Sequence, residues 1–226
     1  MQRGGIPLLN TTIVNMESIL KTLEKFRVIP VIAIEDADKA LYLADALIEG
    51  GLPLAEITFR TDAAAKVISV LSNKRPELTV AAGTILTIDQ LKQARDYGAV
   101  FGVAPGVDLK VIEEAMKIGF PFIPGIMTPT EVTVCLNYNL TVLKFFPAES
   151  AGGVKHLKSI IAPFAHTGVK FTPTGGVNKE NYKSYLDIPQ VISVGGSWMA
   201  TKEDINAENW SGIKNNCLEI EKRKRN

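Results

Sequence analysis

Apolar and polar positions along this chain change period in a regular rhythm. Residues Met16–Phe26 carry apolar side chains at helical spacing, and residues 28–34, VIPVIAI, form a short continuous apolar run, as a strand buried on both faces does. The alternation continues. Helices are predicted over 36–48, 62–73, 88–97, 109–118, 129–136, 153–161 and 179–186, and strands over 54–59, 78–84, 100–104, 120–123, 141–145, 169–172 and 191–194. Asp36 or Asp38 is placed to cap the first of these helices and Gly50-Gly51 to end it. Eight strands within residues 28–199 leave roughly 21 residues per unit, room for a strand, a helix and two short loops.

Such an alternation admits two architectures, a closed (β/α)8 TIM barrel or an open doubly wound sheet. An open fold usually announces itself with a GxGxxG turn after its first strand. Here that turn reads Glu35-Asp36-Ala37, without glycine, so the barrel is expected. No stretch rich in proline, glycine or serine interrupts the series. One domain over 1–226 is therefore expected, with an N-terminal extension at 1–15 and a charged tail at 221–226, EKRKRN, that frays into solvent.

Composition narrows the function classes. Of 226 residues 46% are hydrophobic and 22% charged, which excludes disorder. Twenty-five Lys and Arg against 24 Asp and Glu leave a net charge of +1, so bulk charge predicts neither a nucleic-acid partner nor an acidic membrane, and any anion site must be local. The N-terminal 15 residues have no long apolar core of a signal peptide, and no run approaches the length of a membrane span. Cys135 and Cys217 stand far apart and match neither a metal pair nor a disulfide framework, which fits a reducing cytoplasm. His156 and His166 are too few and too misplaced for a metal site or a Ser-His-Asp relay, so no metal is expected.

In a barrel, chemistry gathers at the C-terminal ends of strands. The second strand ends in Glu56-Ile57-Thr58-Phe59-Arg60, and period-2 alternation puts Glu56, Thr58 and Arg60 on one face. A site acid beside a guanidinium and a structural ion pair are both consistent with that placement. Lys144, bracketed by Leu143 and Phe145-Phe146 in the sixth strand, stands out more, because buried lysines are rare without a partner. Burial disfavours the charged form of an amine, and the neutral amine is what condenses with a carbonyl to form a Schiff base. A lysine snorkelling past the strand end is the competing reading. Glu149, beyond Pro147, is expected in the loop and outside the site.

Glycine pairs follow the seventh and eighth strands, in Thr174-Gly175-Gly176 and Gly195-Gly196-Ser197. Backbone N–H groups there can converge on a phosphate, with a Ser197 hydroxyl as a further donor. Tight turns are the plainer alternative. Small residues at Ala81-Ala82-Gly83-Thr84 and Ala104-Pro105-Gly106 leave room for a ligand, with Thr84 offering a donor to a carboxylate.

Taken together, GGLPLAEITFRT, AAGT, APG, PGIMTPTE, LKFFPAE, GVKFTPTGGVN and VGGSWM, in this order and spacing, closely resemble the 2-keto-3-deoxy-6-phosphogluconate aldolase family, whose members often also cleave 4-hydroxy-2-oxoglutarate. The resemblance covers nearly the whole chain. It implies a metal-free, cofactor-free class I aldolase on a (β/α)8 barrel, a homotrimer acting on a small 2-keto acid. It further implies Lys144 as Schiff-base nucleophile and Glu56 as general acid/base. Arg60 and Thr84 would contact the pyruvate carboxylate, with Pro105 beside them. Gly175, Gly176, Gly196 and Ser197 would contact phosphate, and Thr174 would help set stereoselectivity. Two positions depart from the family pattern, Ala33 where many members carry arginine and Met127 where serine is common, and they leave the preferred chain length of the keto acid open. An isomerase or synthase that binds phosphate on the same barrel without covalent lysine chemistry, and a non-catalytic phosphosugar-binding barrel, are the competing functions.

Overall fold

The computed structural model describes residues 16–224. Its frame is a curled set of parallel strands: β1 (Val28–Ile32), β2 (Leu54–Thr58), β3 (Thr79–Gly83), β4 (Phe101–Val103), β5 (Phe122–Ile123), β6 (Gly125–Ile126), β7 (Val142–Phe145), β8 (Lys170–Pro173) and β9 (Val194–Gly196). Around it run α1 (Met16–Phe26), α2 (Ala40–Glu49), α3 (Ala64–Lys74), α4 (Ile88–Asp96), α5 (Leu109–Lys117), α6 (Pro129–Asn137), α7 (Gly153–Ile161), α8 (Tyr182–Leu186), α9 (Lys202–Asn206) and α10 (Trp210–Lys224). Polar side chains start several helices where the sequence placed them. Thr87 accepts from Gln90 N–H, Asp108 from Lys110 and Val111 N–H, and Thr128 forms a reciprocal capping box with Glu131.

The (β/α)8 order holds, but the hydrogen-bonded ladder is interrupted in two places. Strands run β5-β4-β3-β2-β1-β9 in one sheet and β6-β7-β8 in the other. Pro124 follows directly on the expected strand 120–123, which starts two residues late as β5, and it separates β5 from β6, a further two-residue strand that was not expected, since proline has no N–H to give the ladder. β5 pairs with β4, and after the proline β6 turns to pair with β7. The second interruption lies between β8 and β9, which meet only through the bridges Phe171↔Val191 and Thr174↔Gly195. Here the expected strand 191–194 changes partner midway: Ile192 N–H still bonds Phe171 O, whereas Val194 N–H bonds Arg27 O and opens β9 three residues late.

Other boundaries move for local reasons. The expected helix 179–186 starts only at Tyr182, because the Asn178 side chain takes the Glu180 and Asn181 amides into a turn. The helix expected from 36 begins as a 3-10 turn, Ala37–Lys39, capped by Asp36. The tail expected to fray from 221 is helical to Lys224, as the end of α10. The extension at 1–15 lies outside the described residues.

Two apolar layers explain the shape. One lies between strands and helices and holds residues such as Ile32, Ile57, Leu143, Phe145 and Phe171, together with Cys135 and Cys217. Burial pushes both thiols up to about 12. The other fills the barrel's lower interior, where Ile29, Leu54, Phe101, Val142 and Ile192 meet Ile19 and Leu23 from α1. The N-terminal helix thus plugs the barrel from below. Among the described residues no helix is long and apolar enough to cross a membrane.

Candidate active site

The upper interior differs. Alternation along β2 turns Leu54 and Glu56 inward, and along β7 it does the same for Val142 and Lys144. The two charged groups meet across the barrel, with Lys144 Nζ donating to Glu56 Oε1 at 3.1 Å. Both are almost completely buried, at 5% and 2% exposure. Room for the carboxylate comes from β3, where a side chain on Gly83 would collide with Glu56 Oε1. One small residue at this mouth therefore makes space for the acid, not for a ligand. Lys144 Nζ also stands 5.3 Å from the centre of the Phe146 ring, one pleat further along.

Arg60 follows β2, and its Nε donates to Thr58 Oγ1 at 3.1 Å, while Thr58 Oγ1 donates to Ile32 O at 2.9 Å. That chain orients the guanidinium over the mouth. Thr84 sits at φ 58°, a left-handed conformation that costs a β-branched residue on the order of 1–3 kcal/mol. Its neighbour Ile85 is anchored by N–H to Val103 O at 3.1 Å.

A cavity of about 240 Å³ opens over the pair, lined by Glu56, Arg60, Thr84, Pro105, Lys144, Thr174, Gly175, Gly176 and Ser197, with Val31, Thr58, Phe146 and Val177. The structure thus brings together the expected site residues except Gly196. Gly196 lies in β9, and its missing side chain makes room for the Trp198 ring. Val31, Phe146 and Val177 were not singled out from the sequence, although Phe146 is two residues from Lys144 and Val31 pairs in register with Glu56. Neither histidine lines the cavity: His156 packs on Phe145 with Nε2 3.3 Å from Met127 O, and His166 is exposed. Among the described residues no three His, Cys, Asp or Glu side chains gather as metal ligands.

A cation bonded to a carboxylate at the bottom of a closed-floored cavity, with a guanidinium and glycine-rich backbone above, can hold a small anion and present an amine to it. Fold and site together define a parallel α/β barrel with a buried lysine–carboxylate pair at the foot of its cavity. The chain belongs to the KDPG and KHG aldolase family, whose model matches residues 17–216, and it is accordingly a lyase of the aldolase type. It is 41% identical over 197 residues to the 2-dehydro-3-deoxy-phosphogluconate aldolase of Haemophilus influenzae, covering 87% of this chain and 92% of that one. The crystal structure of the KDPG aldolase of Legionella pneumophila, with pyruvate captured as a covalent carbinolamine, is similar at TM-score 0.85 and 39% identity, covering 89% of this chain and 97% of that one. The KDPG aldolase of Zymomonas mobilis with 3-phosphoglycerate is similar at TM-score 0.83 and 35% identity, covering 91% and 96%.

Proposed function

We propose that this single-domain chain is a class I aldolase that cleaves 2-keto-3-deoxy-6-phosphogluconate to pyruvate and glyceraldehyde 3-phosphate, and also 4-hydroxy-2-oxoglutarate to pyruvate and glyoxylate. The observation that carries it is the buried Lys144–Glu56 pair at the foot of the cavity. Lys144 Nζ adds to the C2 carbonyl, and loss of water gives an iminium. Glu56, within hydrogen-bond reach of Nζ, moves the protons of that step and then takes the proton of the C4 hydroxyl, directly or through a water. The C3–C4 electron pair moves into the iminium, the aldehyde leaves first, and an enamine of pyruvate stays on the lysine. Protonation at C3 and hydrolysis return pyruvate and free Lys144.

Arg60 and Thr84 hold the keto-acid carboxylate on one side, with Pro105 as a wall. On the other, the amides of Gly175, Gly176 and Ser197 and the Ser197 hydroxyl take the phosphate, with Gly196, outside the cavity lining, left out of that role, and Thr174 between them faces the new carbinol. No metal or cofactor enters this scheme. The family resemblance implies a homotrimer, and Leu86, Leu109 and Met127, each at least 42% exposed after β3, β4 and β6, are apolar side chains that neighbouring copies would cover. The buried, unpaired cysteines support a cytoplasmic setting.

Borohydride reduction in the presence of pyruvate tests the reading. One pyruvyl group per chain, mapped by peptide mass to Lys144, is expected, and activity should survive chelators. An adduct on Lys170 or Lys155, or none, rejects the covalent mechanism and favours an isomerase-type or purely binding barrel.

A further inference from the structure

We propose that Tyr185 is a positioning residue for the substrate's phosphate group, acting through Glu149 on the Gly175–Gly176 loop. The inference rests on the phosphate reading above. It starts from a residue which that mechanism leaves unused: Glu149 lies in the turn after β7, outside the cavity lining.

Four contacts converge there. Ala148 N–H donates to Thr174 O at 2.8 Å and Glu149 N–H to Gly175 O at 3.0 Å, so the turn after the lysine strand is tied to the loop after β8. A Cβ on Gly176 would stand 2.6 Å from Glu149 Cβ and 2.8 Å from its Cγ, so the stem of Glu149 lies directly against the loop. The Tyr185 hydroxyl donates to the Glu149 carboxylate, and Tyr185, from α8, is fully buried. Burial first, and then the bond to Glu149, push the phenol up, so it remains a donor wherever the enzyme works.

The loop needs such a brace. Gly175 and Gly176 sit at φ 98° and 77°, successive left-handed residues that only glycine adopts freely. With no side chains the loop cannot order itself, and its amides are placed only as well as whatever packs against them. The hydroxyl of Tyr185 does two things for it. It fixes the Glu149 stem against Gly176, and it keeps a carboxylate turned away from the cavity in which a phosphate dianion is to bind.

The test compares the phosphorylated six-carbon substrate with 4-hydroxy-2-oxoglutarate, which has no phosphate. In Tyr185→Phe the ratio of their kcat/KM values should fall about tenfold, with the loss carried in KM for the phosphorylated substrate. Glu149→Ala, a change at an exposed position that spares the fold if Tyr185→Phe does not, should lower the ratio as far. Glu149→Gln keeps stem and acceptor and should restore it to within about twofold. Equal loss on both substrates, or an unchanged ratio, overturns the inference. Competitive inhibition of the wild type by inorganic phosphate separates the two levels of argument. If it is absent, the phosphate reading itself fails and the brace with it; if it is present and equally strong in Tyr185→Phe, only the brace fails.

Discussion

One pleat separates the floor of this barrel from its chemistry. Ile29, Leu54 and Val142 face inward at the lower end, where Ile19 and Leu23 of α1 seal them from water; two residues further along the same strands the inward positions are Val31, Glu56 and Lys144. That step is a rise of about 6.6 Å. The same strand geometry thus serves opposite ends. Below, each fully buried leucine contributes about 1.5–3 kcal/mol to folding. Above, an ion pair is held where water reaches it from one side only, which strengthens its electrostatics and costs desolvation. Apolar packing is concentrated at one mouth and, on the proposed function, reactivity at the other.

The largest effect should come from the upper end. Lys144→Met is expected to abolish both pyruvate trapping and cleavage while leaving a folded chain by circular dichroism. Glu56→Gln should still trap pyruvate, more slowly, and lose about 10²- to 10⁴-fold in cleavage. Near-normal turnover of the glutamine variant would return Glu56 to the role of a structural partner and remove the contrast between the two mouths.

Much of this contrast could be read from the sequence, for a definite reason. Strands buried on both faces read as apolar runs, so Glu56 and Lys144 stood out as exceptions inside them, and period-2 spacing put Arg60 on the same side as Glu56. What the sequence hid was non-local. Strand eight changes partner between Ile192 and Val194 because β8 and β1 compete for it, and nothing within those residues signals that. The pattern puts Gly195-Gly196 after the eighth strand, as a phosphate loop or a tight turn, yet the pair lies in β9, where a side chain on Gly195 would meet Thr174 and one on Gly196 the Trp198 ring. The link from Tyr185 to Glu149 spans 36 residues and has no motif. α10 was missed for a different reason: Ile213, Cys217 and Ile220 do follow helical spacing, but polar residues crowd between them.

At the lower end, Leu23→Ala removes a fully buried side chain from the plug, and should lower unfolding free energy by about 2–5 kcal/mol in a denaturant titration. The kcat of the folded fraction should stay within about twofold, because the lost contacts lie one layer beneath the reacting atoms. A fall in kcat at unchanged stability would show that the floor tunes the chemistry directly.

A smaller effect sharpens the upper mouth itself. Ser197 is exposed on the cavity wall, so Ser197→Asp adds a carboxylate without the collision with Trp198 that any side chain at position 196 would meet. KM for the phosphorylated substrate should rise about tenfold, as a like charge near a dianion in partly screened surroundings requires, while 4-hydroxy-2-oxoglutarate is spared. Equal damage to both would place the phosphate elsewhere on the rim.

The smallest effect is the most telling about why the two mouths differ. Removing Lys144 alone leaves Glu56 buried with no cation, and breaking such a pair from one side typically costs about 3–5 kcal/mol. Removing both charges together, in Lys144→Met/Glu56→Gln, lifts the desolvation of both at once. The double variant should therefore be more stable than Lys144→Met, and within about 1 kcal/mol of the wild type or above it, by denaturant midpoint. If instead it falls several kcal/mol below the wild type, the pair is a structural anchor, and the upper mouth would hold the fold together as much as the floor does.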